Sequence, residues 1–217
     1  MAKWFWCAEQ FRHAALGLIP EEEEPKEVCE VGTMLHKVLE ESMGRRFPWE
    51  EEFMELLGKH NNAELGFTRK IEDTELYCDL TTHPDDLQIF PDFLVSVIEN
   101  KTIEARDPVN PDKYFIERFK LPLAKFQSQI YSFVLEPIVQ ELAGVMNRYN
   151  AVQYWDRNTF RLVGWWRVEY YPHQTEENIL RALHAIKDPK LVIKPQPWKC
   201  RCCFKEHKEL CQFEKNS

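Results

Sequence analysis

The sequence predicts an α/β fold, a central mixed sheet flanked by helices. Three observations lead there. Apolar residues recur at helical spacing in the first sixty positions, and strand-like alternation then takes over from Phe67 to Thr102. A long helical pattern from Pro122 separates those strands from two more, before a last helix. The order helix, strands, helix, strands, helix sets the core sheet in the middle. A chain of 217 residues can bury one good core. Its 44% hydrophobic and 29% charged residues are those of a globular protein.

Each element follows in order. Residues 4–19 are aromatic-rich and then helical in pattern, and Pro20 with Glu21 to Glu24 forms a linker. Val31, Leu35, Val38 and Leu39 carry a helix from Glu30 to Met43. A short helix over Phe53 to Leu57 is closed by Gly58, and Asn61-Asn62 makes a turn. Strands are expected at Phe67 to Glu72, Glu75 to Thr82 and Phe93 to Thr102, with a turn at Pro84-Asp85-Asp86 and a loop over 107–113. The helix from Pro122 to Asn147 contains Pro137, which is expected to kink or split it. Strands follow at Ala151 to Tyr154 and Leu162 to Tyr171. A helix from Thr175 to Ile186 has Thr175 as its N-cap, and Pro195 and Pro197 lead into the tail.

Composition narrows the functional classes. No apolar run reaches the length of a membrane span. The first ten residues turn polar too soon for a secretory signal, so a cytoplasmic protein with reduced thiols is expected. Seven cysteines, an odd number, speak against a pure disulfide framework. The net charge of −8 speaks against a general nucleic-acid binder but leaves room for a local basic groove.

Two groups of residues carry chemistry. Cys200, Cys203 and Cys211 are spaced as ligands in the tail, and Cys7 offers a fourth thiolate at the other end of the chain. Cys202 is spare, while Cys29 and Cys78 suit small core positions. The second group starts in the strand Val97-Ile98-Glu99-Asn100-Lys101-Thr102, whose alternation puts Glu99 and Lys101 on one face. Alone, that pair fits a surface ion pair on an edge strand. Its neighbours change the reading. Asp79 and Asp92 lie upstream, His36 sits on the early helix with Glu40 one turn later, and Gln127 and Tyr131 share a face of the long helix.

In that order the residues resemble the PD-(D/E)XK nuclease superfamily, in its RecB-like branch. Gly32-x3-His36, an Asp in a strand, Glu99-x-Lys101 and Gln127-x3-Tyr131 look like its successive motifs. With Cys7 and the tail cysteines, the chain is similar to the iron–sulfur members, the CRISPR-associated Cas-four-type nucleases above all. The resemblance spans residues 7 to 211 and implies a restriction-endonuclease-like core over 30–194. Residues 1–29 and 195–217 would together form a lobe around the cluster.

The resemblance also implies a function: a metal-dependent DNA nuclease, an exonuclease on single-stranded ends, in CRISPR spacer acquisition or in DNA repair and recombination. Partners would be DNA and integrase-type adaptation proteins or a helicase, with no membrane. Asp79 or Asp92 would hold Mn2+ or Mg2+ with Glu99, the carbonyl of Asn100 and His36. The twenty residues between Asp79 and Glu99 leave room for a return strand, so Asp79 is preferred. Lys101 would position or deprotonate the water, and Gln127 and Tyr131 would orient Lys101 or the phosphate. Cys7, Cys200, Cys203 and Cys211 would hold a 4Fe–4S cluster, the alternatives being 2Fe–2S or zinc. Trp4, Trp6, Trp155, Trp165 and Trp166 are candidates for base stacking, and Lys199, Arg201, Lys205 and Lys208 for phosphate contacts. The competing reading is a catalytically inactive or zinc-stapled module that binds DNA or protein.

Overall fold

The computed structural model describes residues 7–18, 33–34, 37–38, 47–61, 66–72, 77–104, 113–192 and 205–213. His36, with Gly32 and Glu40, lies outside the described residues, as do Cys29, Cys200, Cys202, Cys203, Trp4 and Trp6. The chain divides into two compact units, Met1–Glu23 with Glu176–Ser217, and Glu24–Thr175. Among the described residues no helix is long and apolar enough to cross a membrane.

The larger unit is an α/β structure with a mixed five-stranded sheet flanked by helices. Strands β1 (Phe67–Glu72) and β2 (Tyr77–Thr82) pair antiparallel as a separate two-stranded sheet. Strand β3 (Asp86–Phe90) runs antiparallel to β4 (Leu94–Ile103). Strand β4 lies parallel to short β5 (Val145–Met146) and to β6 (Tyr149–Asp156), and β6 is antiparallel to β7 (Leu162–Glu169). A parallel pair needs a crossover connection. The long helix between β4 and β6 supplies it.

The strands differ from expectation at one hairpin. The region around Pro84-Asp85-Asp86 is not only a turn, because Asp86–Phe90 continues as β3 with Leu87 and Ile89 buried in alternation. The reversal before β4 sits instead at Pro91–Phe93, where Asp92 (φ 63) and Phe93 (φ 53) take left-handed backbone.

Helix α1 (Ala8–Ala15) belongs to the smaller unit. In the larger one, helix α2 (Pro48–Gly58) starts with proline at its first turn, and the Glu50 carboxylate accepts the Phe47 N–H at 3.0 Å. It buries Phe53 and Leu57 against Leu87, Ile89, Val95 and Val97 of the sheet. Helix α3 (Leu121–Glu141) adds Val134, Leu135, Ile138 and Val139 to the same core.

Pro137 does not split α3, which runs unbroken through it. Proline has no N–H to give the carbonyl four residues earlier, that of Phe133. That carbonyl accepts from Arg69 Nη1 of β1 instead, and the guanidinium lies 3.6 Å from the Phe133 ring centroid. Upstream, the expected loop is helical from Lys113. A turn at Lys113–Phe115 passes into a π-helical turn at Ile116–Lys120 and then into α3. Pro122 cannot donate to the carbonyl of Arg118, and the chain before it has taken the wider turn.

The β4–β6–α3 seam is sewn by polar side chains. Asn150 is buried, accepts from the Val97 N–H, and donates to the Ser128 carbonyl and the Ser132 hydroxyl. Such a residue stabilises only when its bonds are made.

The smaller unit joins the two ends of the chain. Besides α1 it holds most of α4 (Pro172–Lys187) and α5 (Lys205–Leu210). Ala8, Ala185 and Val192 pack together with Phe213. Buried Glu9 pairs with His13 (3.3 Å) and accepts from Gln212 Nε2 (3.3 Å), which also reaches the Pro189 carbonyl. Burial, then the charge of Arg12, lowers the pKa of His13. The C-terminal part of this unit is Glu176–Ser217, with Ala185 and Val192 in its core. Thr175 lies within α4, not at its cap, and its hydroxyl donates to the Tyr171 carbonyl one turn back.

Candidate active site

Strand β4 puts its chemistry in the core. Residues Val95 to Asn100 are all buried, and alternation sets Val95, Val97 and Glu99 on the face covered by α3. Glu99 is 0% exposed. Lys101 Nζ pairs with Glu99 Oε1, and the Lys101 side chain is 31% exposed, so the site opens at the lysine. Among the described residues neither Glu99 oxygen has a well-formed hydrogen bond. A buried carboxylate so poorly satisfied is costly.

The acid opposite is Asp85. The β3–β4 register pairs Asp86 with Ile98, and one step further along the same register sets Asp85 across from Glu99. The Asn100 N–H donates to Asp85 Oδ2 at 2.8 Å, which fixes that carboxylate on the backbone between Glu99 and Lys101. Burial first, and then the charge of Asp85, push the Glu99 carboxyl up to about 7 against the opposing pull of Lys101. A buried acid with a second carboxylate beside it makes a place for a cation.

Asp79 and Asp92 are elsewhere. Asp79 is exposed on β2, paired in register with Lys70 on the two-stranded sheet. Asp92 is exposed in the turn before β4, seven residues from Glu99 and so roughly 20 Å along the strand. Sequence reasoning missed Asp85 by placing the reversal there rather than at Pro91–Phe93. The signal was present: Leu87 and Ile89 alternate, and a turn at 91–93 brings residue 85 opposite residue 99.

Two tyrosines face the acids. The Tyr131 hydroxyl on α3 is pushed above its ordinary value by burial, then by Glu99 and Asp85. Tyr154 of β6, the register partner of Lys101, is shifted likewise by burial and Glu99. Sequence reasoning included Tyr131 but not Tyr154. Gln127 lies one turn before Tyr131 on α3 and is half-buried. On the opposite face of β4, the Asn100 side chain accepts from Trp155 Nε1 at 3.1 Å. Trp166 Nε1 bonds Glu117, while Trp165 is exposed.

The donor set suits a hard cation. The carboxylates of Asp85 and Glu99 are hard oxygen donors of the kind a divalent cation takes, and beyond the ion pair with Lys101 the buried Glu99 carboxylate has no well-formed hydrogen bond among the described residues. Among the described residues no group of three or more His, Cys, Asp or Glu converges. Of the expected cluster ligands, Cys7 and Cys211 are described; both are buried in the smaller unit and neither is in a disulfide. Cys78 is half-buried on β2. A cleft of about 600 Å³ between β1 and α3, lined by His60, Arg69, Lys70 and Glu141 among others, does not include Asp85, Glu99 or Lys101.

No protein-family model and no curated protein matches the sequence. The chain is similar in fold to a solved structure, the crystal structure of SSO0001. The TM-score is 0.54 at 15% identity, over 98% of this chain and 85% of that one. At that identity the likeness concerns the fold alone.

Proposed function

We propose that this chain is a divalent-metal-dependent deoxyribonuclease with a restriction-endonuclease-like core of the PD-(D/E)XK type, acting on single-stranded DNA ends. The observation that carries the reading is the meeting of Asp85, Glu99 and Lys101 at one end of the β3–β4 pair. Asp85 takes the role that sequence reasoning gives to Asp79 or Asp92.

In this reading Asp85, Glu99 and the Asn100 carbonyl hold Mn2+ or Mg2+, with His36 as a further ligand. The bound cation would supply positive charge at the scissile phosphate and acidify water. Lys101, ionic partner of Glu99 and open to solvent, orients the attacking water and donates to the phosphate oxygens. Tyr131 and Gln127 orient the phosphate or Lys101 from α3. Burial of Glu99 beneath that helix keeps competing water away from its carboxylate.

Cys7, Cys200, Cys203 and Cys211 are proposed to hold a 4Fe–4S cluster. Support comes from Cys7 and Cys211, both buried in the unit that the two chain ends share. The setting is that of the resemblance, spacer acquisition or DNA repair.

The test is cleavage of a labelled single strand with Mn2+ by protein purified without oxygen. Glu99→Gln, Lys101→Ala and Asp85→Asn should each lose about 100-fold or more. Asp79→Asn and Asp92→Asn should cleave normally. Full activity in Lys101→Ala would overturn the nuclease assignment, and full activity in Asp85→Asn the metal assignment.

A further inference from the structure

We propose that the aromatic and basic segment Lys113–Lys120 grips the nucleic-acid strand as it enters the site, and that the strand it grips is single. This deepens the nuclease reading and rests on it for the kind of ligand.

The segment is unusual in composition. Within eight residues it carries Lys113, Arg118 and Lys120 against one acid, Glu117, in a chain of net charge −8. It also carries Tyr114, Phe115 and Phe119. Tyr114 is 63% and Phe115 41% exposed, and all three basic residues are exposed. Exposed rings interleaved with cations are what a strand with open base faces and charged phosphates would meet.

The rings are already arranged. Arg118 Nη1 donates to the Tyr114 hydroxyl, and its guanidinium lies 5.7 Å from the Tyr114 ring and 5.4 Å from that of Phe119. Phe115 and Phe119 are tilted against each other with centroids 5.4 Å apart. The acid is already engaged, since Glu117 accepts from Trp166 Nε1 at 3.0 Å. That bond ties the segment to β7, while its three cations stay exposed.

Ile116 is the buried pin, packed with Val152, Tyr154 and Ile103. Tyr154 is the register partner of Lys101, and Ile103 is two residues beyond it on the same face of β4. The pin therefore seats the segment on the face of the sheet that carries Glu99 and Lys101. The π-helical turn over Ile116–Lys120 fits such use, because these turns recur at functional sites. A duplex hides its base faces and would use the cations alone. A single strand offers open base faces to the rings and phosphates to the cations together.

The test measures binding without chemistry. Full-length protein without added divalent cation is titrated with fluorescein-labelled oligothymidine and with a duplex of equal length. Tyr114→Leu/Phe115→Leu keeps the apolar bulk and removes the rings, and thermal unfolding of each variant checks its fold. It should weaken single-strand binding about tenfold, leaving its salt dependence and duplex binding unchanged. Lys113→Ala/Lys120→Ala should instead flatten the slope of log K against log salt by about 1.4. Equal loss on single strand and duplex, or none in the ring variant, overturns the proposal. So does wild-type protein that does not bind oligothymidine, which would assign the rings to a protein partner. Cleavage by wild type and Lys101→Ala is scored separately with Mn2+. Ring-dependent binding without cleavage would keep this proposal and remove the nuclease reading, and cleavage without ring dependence the reverse.

Discussion

Glu99 is the residue on which the site turns, because it is an acid placed where the fold wants a valine. Its column on β4 continues Val95 and Val97 under α3. The consequence is a stability that depends on pH. Its carboxyl titrates near 4.5 when unfolded and about 7 when folded. Below 4.5 both states hold the proton and nothing is lost. Between 4.5 and 7 the folded state binds more protons than the unfolded, so stability falls as pH rises, and above 7 the cost is complete. Glu99→Gln should therefore raise the melting temperature of the metal-free protein, by an amount that grows from pH 4.5 to 7 and then levels. Mn2+ should reduce the difference by stabilising the wild type alone. A difference that is flat with pH in thermal unfolding would sink this account. Glu99 and Lys101 were legible in the sequence because strand alternation alone sets them together. Asp85 was not, since its place depends on where a hairpin reverses, and Pro84 and Pro91 offered two sites for that turn.

At the scale of the element, α3 shows why a local rule failed. Pro137 should break the helix, and the missing N–H is real, but a side chain 68 residues earlier in the sequence supplies the donor. Arg69 Nη1 bonds the Phe133 carbonyl while its guanidinium covers the Phe133 ring and pairs with Glu136 at 3.8 Å. No window of sequence around Pro137 contains that information. The arrangement predicts a coupling. Arg69→Ala should cost about 2 kcal/mol, for a charged hydrogen bond to the carbonyl of buried Phe133 and a cation–π contact. In a Pro137→Ala background the backbone N–H regained at that position can serve the Phe133 carbonyl, and the same substitution should cost clearly less. Denaturant unfolding of the four proteins closes the cycle. Additive costs would mean that Arg69 does not replace the missing donor.

For the whole molecule the instructive feature is that the first and last described segments share one small unit. The cysteine spacing suggests a join between the chain ends, yet nothing in the tail indicates that ordinary side chains make one too. Glu9 and Gln212 meet at 3.3 Å, and Phe213 packs on the cluster that holds Ala8. Closing a loop of some two hundred residues carries a large entropy cost that is met only once. A second tie between the same ends, such as the proposed cluster, then meets little further closure cost, so the two ties reinforce each other. The clasp should hold α1 in place before any metal arrives. Hydrogen exchange of the metal-free wild type should accordingly show Ala8–Ala15 protected, and Gln212→Ala should lose much of that protection. Adding the cluster to Gln212→Ala should restore it, since either tie closes the loop. If α1 in the metal-free wild type exchanges as fast as an unfolded peptide, the clasp does not act alone and the metal must be what joins the ends.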